Sequence, residues 1–158
     1  GIAYNIPYTI IRPSAVYGPT DMNERVTQYF IEKAFRGEKL LIHGKNEKLD
    51  FTFVEDLAEG CILAATSNKG INNTFNITYG KAQTIYKYVK ILFKYFKNLK
   101  FSLKKRDKLR PKRGTLSIAK ARSLLHYKPK YNLEKGTKKY IEFVKLLKLE
   151  NLKPPTRN

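Results

Sequence analysis

An α/β fold is predicted for this chain by three observations. Short β-branched and aromatic runs alternate with longer segments whose apolar residues recur at steps of three and four. Turn residues (Gly, Pro, Asn) separate the two kinds of segment, with no internal repeat and no Gly/Ser-rich linker. At 158 residues and 42% hydrophobic, the chain can bury one core of ordinary size. The predicted order is strand, helix, strand, strand, helix, strand, helix, strand, helix, helix, which suits strands flanked by helices.

Tyr8-Thr9-Ile10-Ile11, ended by Arg12-Pro13, reads as a buried strand. Such a strand needs neighbours on both edges, so it is expected to be an inner member of a sheet completed by sequence preceding Gly1. Met22 to Arg36 is predicted as a helix, with Val26, Tyr29, Phe30 and Phe35 as its apolar stripe and Gly37 stopping it. Leu40 to Ile42 and Asp50 to Val54 are strands. Glu55 and Asp56 open a helix through Thr66, where carboxylates face the positive end of the helix dipole. Phe75-Asn76-Ile77 is a strand closed by Gly80. From Thr84 to Lys97, Ile85, Tyr88, Val89, Leu92 and Phe96 share one helical face and Lys87, Lys90, Lys94 and Lys97 the opposite one. Ser117 is expected to cap a helix through Leu125, and Asn132 one whose inner side is Leu133, Thr137, Tyr140, Val144 and Leu147. Residues 1–150 are predicted to fold and 151–158 to form a tail.

Charge is unevenly spread. Residues 1–79 carry 8 Lys/Arg against 9 Asp/Glu, and residues 80–158 carry 24 against 4. That asymmetry admits a nucleic-acid-binding module as an alternative function, but lysines set opposite apolar stripes are also what a solvated helix surface looks like. No stretch approaches the length of a membrane span, no signal peptide is recognised in residues 1–11, and a single cysteine, Cys61, suits a reducing cytoplasm. Two distant histidines and one cysteine offer no metal site.

Five segments carry a family likeness. They are Arg12-Pro13-Ser14-Ala15-Val16-Tyr17-Gly18-Pro19, then Arg36-Gly37-Glu38-Lys39 with Leu40 to Gly44, then Leu49 to Ala58, then Phe75-Asn76-Ile77, and last Lys112 to Ala121 with Leu124 to Pro129. In this order and spacing they resemble the extended short-chain dehydrogenase/reductases, the NAD-dependent nucleotide-sugar epimerases and dehydratases. The resemblance implies the C-terminal part of a doubly wound Rossmann-type domain, interleaved with the smaller α/β substrate-binding domain. It implies NAD as cofactor, NADP being the alternative, with most of that site preceding Gly1. It also implies a nucleotide-diphosphate sugar as ligand, a keto-sugar intermediate, and a homodimer when full length. Nucleic acid and membrane are not expected partners.

By the same resemblance, Pro13, Ser14 and Ala15 approach the nicotinamide, or else merely end a strand. Tyr17 and Arg25 lie near the substrate, or in a turn and on a solvated helix. Leu41, Ile42 and His43 border the nucleotide base, with His43 stacking on it or exposed in a turn. Arg110 and Arg113 clamp phosphate, or belong to a basic surface run that includes Lys104-Lys105-Arg106. Leu49 departs from the family, which commonly has an arginine there, and Lys48 is expected to point to the other face. No catalytic residue is assigned. The Gly-rich turn is absent, and Tyr86–Lys90, though correctly spaced, falls on a late helix rather than before the Ile10 strand. The chain alone is expected not to turn over substrate.

Overall fold

A computed structural model of the chain describes residues 1, 3–107, 109 and 111–147. The predicted tail, 151–158, lies outside the described residues.

Among the described residues, eight short strands are interspersed with five α-helices. β1 (Thr9–Pro13) pairs in parallel with β6 (Asn73–Ile77), β2 (Val16–Tyr17) with β5 (Thr52–Phe53), and β3 (Leu40–His43) with β8 (Phe101–Lys104). β4 (Lys48–Leu49) runs antiparallel to β7 (Gln83–Thr84). The helices are α1 (Val26–Phe35), α2 (Val54–Thr66), α3 (Ile85–Phe93), α4 (Ala119–Leu125) and α5 (Leu133–Leu146).

Two apolar clusters hold these elements together. The larger joins Phe30 and Ile31 of α1, Leu40 and Ile42 of β3, Phe53 of β5, Tyr88 and Leu92 of α3, and Tyr140 and Ile141 of α5. The smaller packs Phe75 and Ile77 of β6 against Ala64 of α2, Ala121 and Leu125 of α4, and Tyr127. Asp50 links them. It is fully buried, and its carboxylate accepts from the Thr78 hydroxyl (3.0 Å) and from the amides of Gly80 (3.1 Å), Lys81 (3.3 Å) and Leu116 (3.1 Å). A carboxylate can be buried at this cost only with such a set of donors.

Several sequence expectations need correction. The burial expected of β1 is not met within this chain, while the open edge expected of a strand whose sheet other sequence completes is found. β1 bonds β6 along one edge, no strand among the described residues lies on the other, and Ile10 is 47% exposed. α1 begins at Val26 rather than Met22, because Glu24 has a left-handed φ of 48° and its amide is taken by the Gln28 side chain at 2.9 Å. Asp50 and Phe51 are not strand, and Val54 already belongs to α2. α3 ends at Phe93, four residues before Lys97. α4 begins two residues after Ser117, whose hydroxyl still accepts the Ala119 amide at 3.4 Å. Leu147 is 49% exposed rather than part of the α5 stripe.

Other expectations hold. Thr84 caps α3 through the Lys87 amide at 3.1 Å, Asn132 caps α5 through the Lys135 amide at 2.9 Å, and Gly37 ends α1 with φ 68°. Lys87, Lys90, Lys94 and Lys97 are all exposed, as the opposed stripes predict.

Candidate substrate cleft

A cleft of about 960 Å³ opens beside the carboxyl end of β1. Its walls come from the β1–β2 turn (Pro13, Ala15), α1 and its entry (Arg25, Tyr29, Phe30), and β3 (Leu41, His43). Lys48 and Leu49 of β4, with Phe51 and Ile85, close it on another side, and Arg106, Asp107 and Arg113 come from the loop after β8. Ligands of open α/β sheets sit in this position, outside the carboxyl ends of strands.

The turn at one wall is tight. Ala15 takes a left-handed φ of 35°, and its carbonyl accepts the Thr52 amide at 3.2 Å, which ties β1–β2 to β5. A non-glycine residue there is strained by roughly 1–2 kcal/mol. Arg25 stands at the α1 N-cap and donates from Nη1 to the Val16 carbonyl at 3.2 Å, so its guanidinium is anchored where the cleft begins.

Thus Pro13, Ala15, Arg25, Leu41, His43 and Arg113 line one cavity. Three expected side chains do not. Tyr17 is 1% exposed and Ile42 fully buried, so substrate contact by either side chain is corrected to a core role. The Tyr17 hydroxyl donates to the Leu133 carbonyl at 3.4 Å, its ring meets Phe53 edge-on at 5.5 Å, and burial raises its pKa. Strand alternation sends Ile42 inward and leaves Leu41 and His43 on the cleft side. Ser14 is half-buried and does not line the cavity. Arg110 lies outside the described residues.

Sequence reasoning missed Glu24, Tyr29, Glu47, Lys48 and Asp107, all of which line the cleft. Lys48 and Leu49 both face it, contrary to the alternation expected for a strand, because β4 is only two residues long. Tyr29 is followed by Lys33 four residues later, a spacing also seen at Tyr86–Lys90. Lys33 Nζ lies 5.0 Å from the Tyr29 ring and bonds Glu38 at 2.8 Å, which raises the lysine pKa. The Tyr86–Lys90 pair does not line the cleft.

The cleft is electrostatically mixed. Arg106 Nε holds Glu47 Oε1 at 2.7 Å, and Lys48 and Arg113 add positive charge nearby. Behind the cleft, Asp56 is 1% exposed and accepts the amides of Lys130 (2.7 Å) and Tyr131 (3.0 Å). Burial raises its pKa and those two donors pull it back. This bond set fixes the start of α2 against the segment leading into α5.

Comparison with known proteins agrees with this architecture. The NAD dependent epimerase/dehydratase family model matches residues 2–78. An uncharacterized UDP-glucose epimerase, YtcB of Bacillus subtilis, is 27% identical over 148 residues, covering 92% of this chain and 46% of the relative. UDP-glucuronic acid decarboxylase 1 of Danio rerio is 31% identical over 77% of this chain and 29% of the relative. Among solved structures, UDP-glucuronic acid 4-epimerase from Bacillus cereus, in complex with UDP-glucuronic acid and NAD, aligns with a TM-score of 0.83 at 27% identity, over 91% of this chain and 47% of that one. UDP-glucose 4-epimerase from Thermotoga maritima, with UDP-glucose, gives a TM-score of 0.83 at 29% identity over 91% and 48%. The chain therefore spans half or less of the length of these relatives. With a family model matched over residues 2–78 and UDP-sugar enzymes similar to it in both sequence and fold, the chain is similar to the NAD-dependent epimerase/dehydratase family.

Proposed function

We propose that this chain is the C-terminal, substrate-binding portion of an NAD-dependent nucleotide-sugar epimerase or dehydratase. The observation that carries the proposal is the 960 Å³ cleft, where aromatic and aliphatic walls meet a set of cations at the carboxyl end of β1. Tyr29, Phe30, Leu49 and Phe51 offer apolar surface to a sugar ring or base, while Arg25, Lys48 and Arg113 offer charge to phosphate. Relatives acting on UDP-sugars support the ligand class.

These residues do not by themselves make a dinucleotide site. None of the nine glycines stands in Gly-x-Gly spacing, and Pro13 and Ala15 carry no side-chain donor for a phosphate. NAD is accordingly proposed for the full-length enzyme, to which this chain contributes one wall. The work assigned to the present residues is to bind and orient the sugar nucleotide and to exclude water around it. The chain alone is inactive in this proposal, and assembly as a homodimer and a cytoplasmic location belong to the full-length form.

Calorimetric titration of the 158-residue chain with UDP-glucose and UDP-glucuronic acid tests this. Saturable binding of at least one, with no reduction of added NAD, is expected. If neither sugar nucleotide binds and an oligonucleotide instead binds tightly with a steep salt dependence, the chain is a nucleic-acid-binding module and the proposal fails.

A further inference from the structure

The cleft leaves most of the basic half of the chain unused. Residues 80–158 carry 24 Lys/Arg against 4 Asp/Glu, yet among the described residues only Arg106 and Arg113 of that half line the cleft. α3 and its C-cap expose Lys87, Lys90 and Lys94 at steps of three and four, a row about 10 Å long. Glu134 of α5 neutralises Lys94. Lys87 and Lys90 make no ion pair among the described residues.

The fold adds a cation that the helix pattern does not contain. Lys45, exposed in the turn after β3, holds its Nζ 4.8 Å from the centre of the Tyr86 ring, and Lys90 Nζ lies 5.1 Å from the same centre. The two ammonium groups therefore stand within roughly one Debye length of each other, ~10 Å at 0.1 M salt. A π face attracts an ammonium group without neutralising it, so both charges remain open to an anion. Phe101 of β8 backs the Tyr86 ring at 5.9 Å between centroids. The Gly44 amide donates to the Lys104 carbonyl at 3.0 Å, so exposed Lys104 and Lys105 flank the turn that carries Lys45. The carboxylates of Glu134 and Glu47 are engaged by Lys94 and Arg106. Cations interleaved with an aromatic ring are an arrangement that holds single strands of nucleotides. An anionic membrane is disfavoured, because α3 buries its apolar side (Tyr88, Val89, Leu92) in the core and exposes no large hydrophobic residue for insertion. We infer that Lys45, Lys87 and Lys90 form a binding surface for the phosphodiester backbone of a single-stranded nucleic acid. None of the three lines the cleft, so this surface is separate from the nucleotide-sugar site and does not rest on that reading.

The test is fluorescence anisotropy of a labelled 12-nucleotide oligodeoxythymidylate titrated with the 158-residue chain between 50 and 200 mM salt. Three phosphate contacts on a single strand give a slope of log affinity against log salt of about −2. Lys87→Gln with Lys90→Gln should weaken binding at least tenfold at the lowest salt and bring the slope to about −0.7. Lys45→Gln should reduce the slope's magnitude by about 0.7. Lys69→Gln with Lys128→Gln removes the same charge from exposed positions elsewhere and should stay within twofold of the parent. All five lysines are exposed, so an unchanged melting temperature separates lost binding from lost folding. Equal losses in the two double variants would show a diffuse charge effect and overturn the inference. Displacement of the oligonucleotide by UDP-glucose would put it in the cleft and overturn it too. So would the absence of binding at 50 mM salt, or binding to phosphatidylserine vesicles in place of the oligonucleotide. If UDP-glucose does not bind while the two double variants differ as stated, this surface stands and the nucleotide-sugar reading falls.

Discussion

Asp50→Ala removes one acceptor group shared by four donors, and its consequence can be sized from the bonds. The Thr78 hydroxyl and the amides of Gly80, Lys81 and Leu116 all end on this carboxylate at 3.0–3.3 Å. A buried donor left without a partner costs ~1–3 kcal/mol. The Gly80 amide keeps the Thr78 hydroxyl as an acceptor at 3.1 Å, and the amides of Lys81 and Leu116 are only part-buried, so the lower end applies to three orphaned donors and the sum is about 3 kcal/mol. Against a domain stability of roughly 5–15 kcal/mol that is a large loss. Urea unfolding followed by far-UV circular dichroism should show the midpoint fall by roughly 1.5 M, given a denaturant slope of ~1–3 kcal/mol per M. Thr78→Val removes the hydroxyl's bond to Asp50 and its acceptance from the Gly80 amide, which Asp50 still holds, so it should lose only about 1 kcal/mol. Asp50→Asn, with one acceptor oxygen left, should fall between the two. Because Leu49 and Phe51 line the cleft on either side of Asp50, UDP binding should weaken along with stability. An Asp50→Ala protein within 1 kcal/mol of the parent would refute the reasoning, since the donors would then have other acceptors at hand.

Three further outcomes are expected. The Tyr127 hydroxyl is buried with no hydrogen-bond partner among the described residues, so Tyr127→Phe should leave stability equal or raise it by about 1 kcal/mol; a loss in urea unfolding would reveal an unseen partner. His126 ends α4 in the left-handed conformation at φ 56°, so His126→Gly should stabilise by ~1 kcal/mol, read as a higher melting temperature. In acid the signs divide. Hydrogen bonding to Lys139 lowers the Glu55 pKa, and hydrogen bonding to Lys33 lowers that of Glu38, so their stabilisation is complete above the ordinary value of 4.5 and is lost as pH falls through the depressed values. Burial raises the Asp56 pKa, so its protonation favours the fold, opposing that loss between its raised pKa and the ordinary 3.8. Two groups against one predict a fall in melting temperature below about pH 4.5, and Glu38→Gln with Glu55→Gln should flatten it.

Local patterns in the chain were sufficient for much of the architecture. The α3 stripe appears as buried Tyr88, Val89 and Leu92, and Asn132 caps α5 because its side chain needs only the amide three residues on. The helix entry at Val26 was not legible, since it turns on the left-handed Glu24 backbone and on Gln28 folding back. Tyr17 looked like a turn residue beside Gly18, yet its hydroxyl is satisfied by Leu133, 116 positions away, which draws the ring into the core. Lys48 could not be assigned a face, because period-two reasoning assumes a strand longer than two residues.

The succession of strands and helices and the caps were set by residues near one another in sequence, where propensity and hydrogen-bond reach act over three or four positions, and the family likeness by the order of five such segments between Arg12 and Pro129. The cleft and the Asp50 junction were not. Asp50 collects donors 28, 30, 31 and 66 residues distant, and the cleft wall brings Pro13 near Arg113. Whether a cation meets a partner or stays open to a ligand depends on which distant segment packs beside it, and that is a property of the folded chain alone.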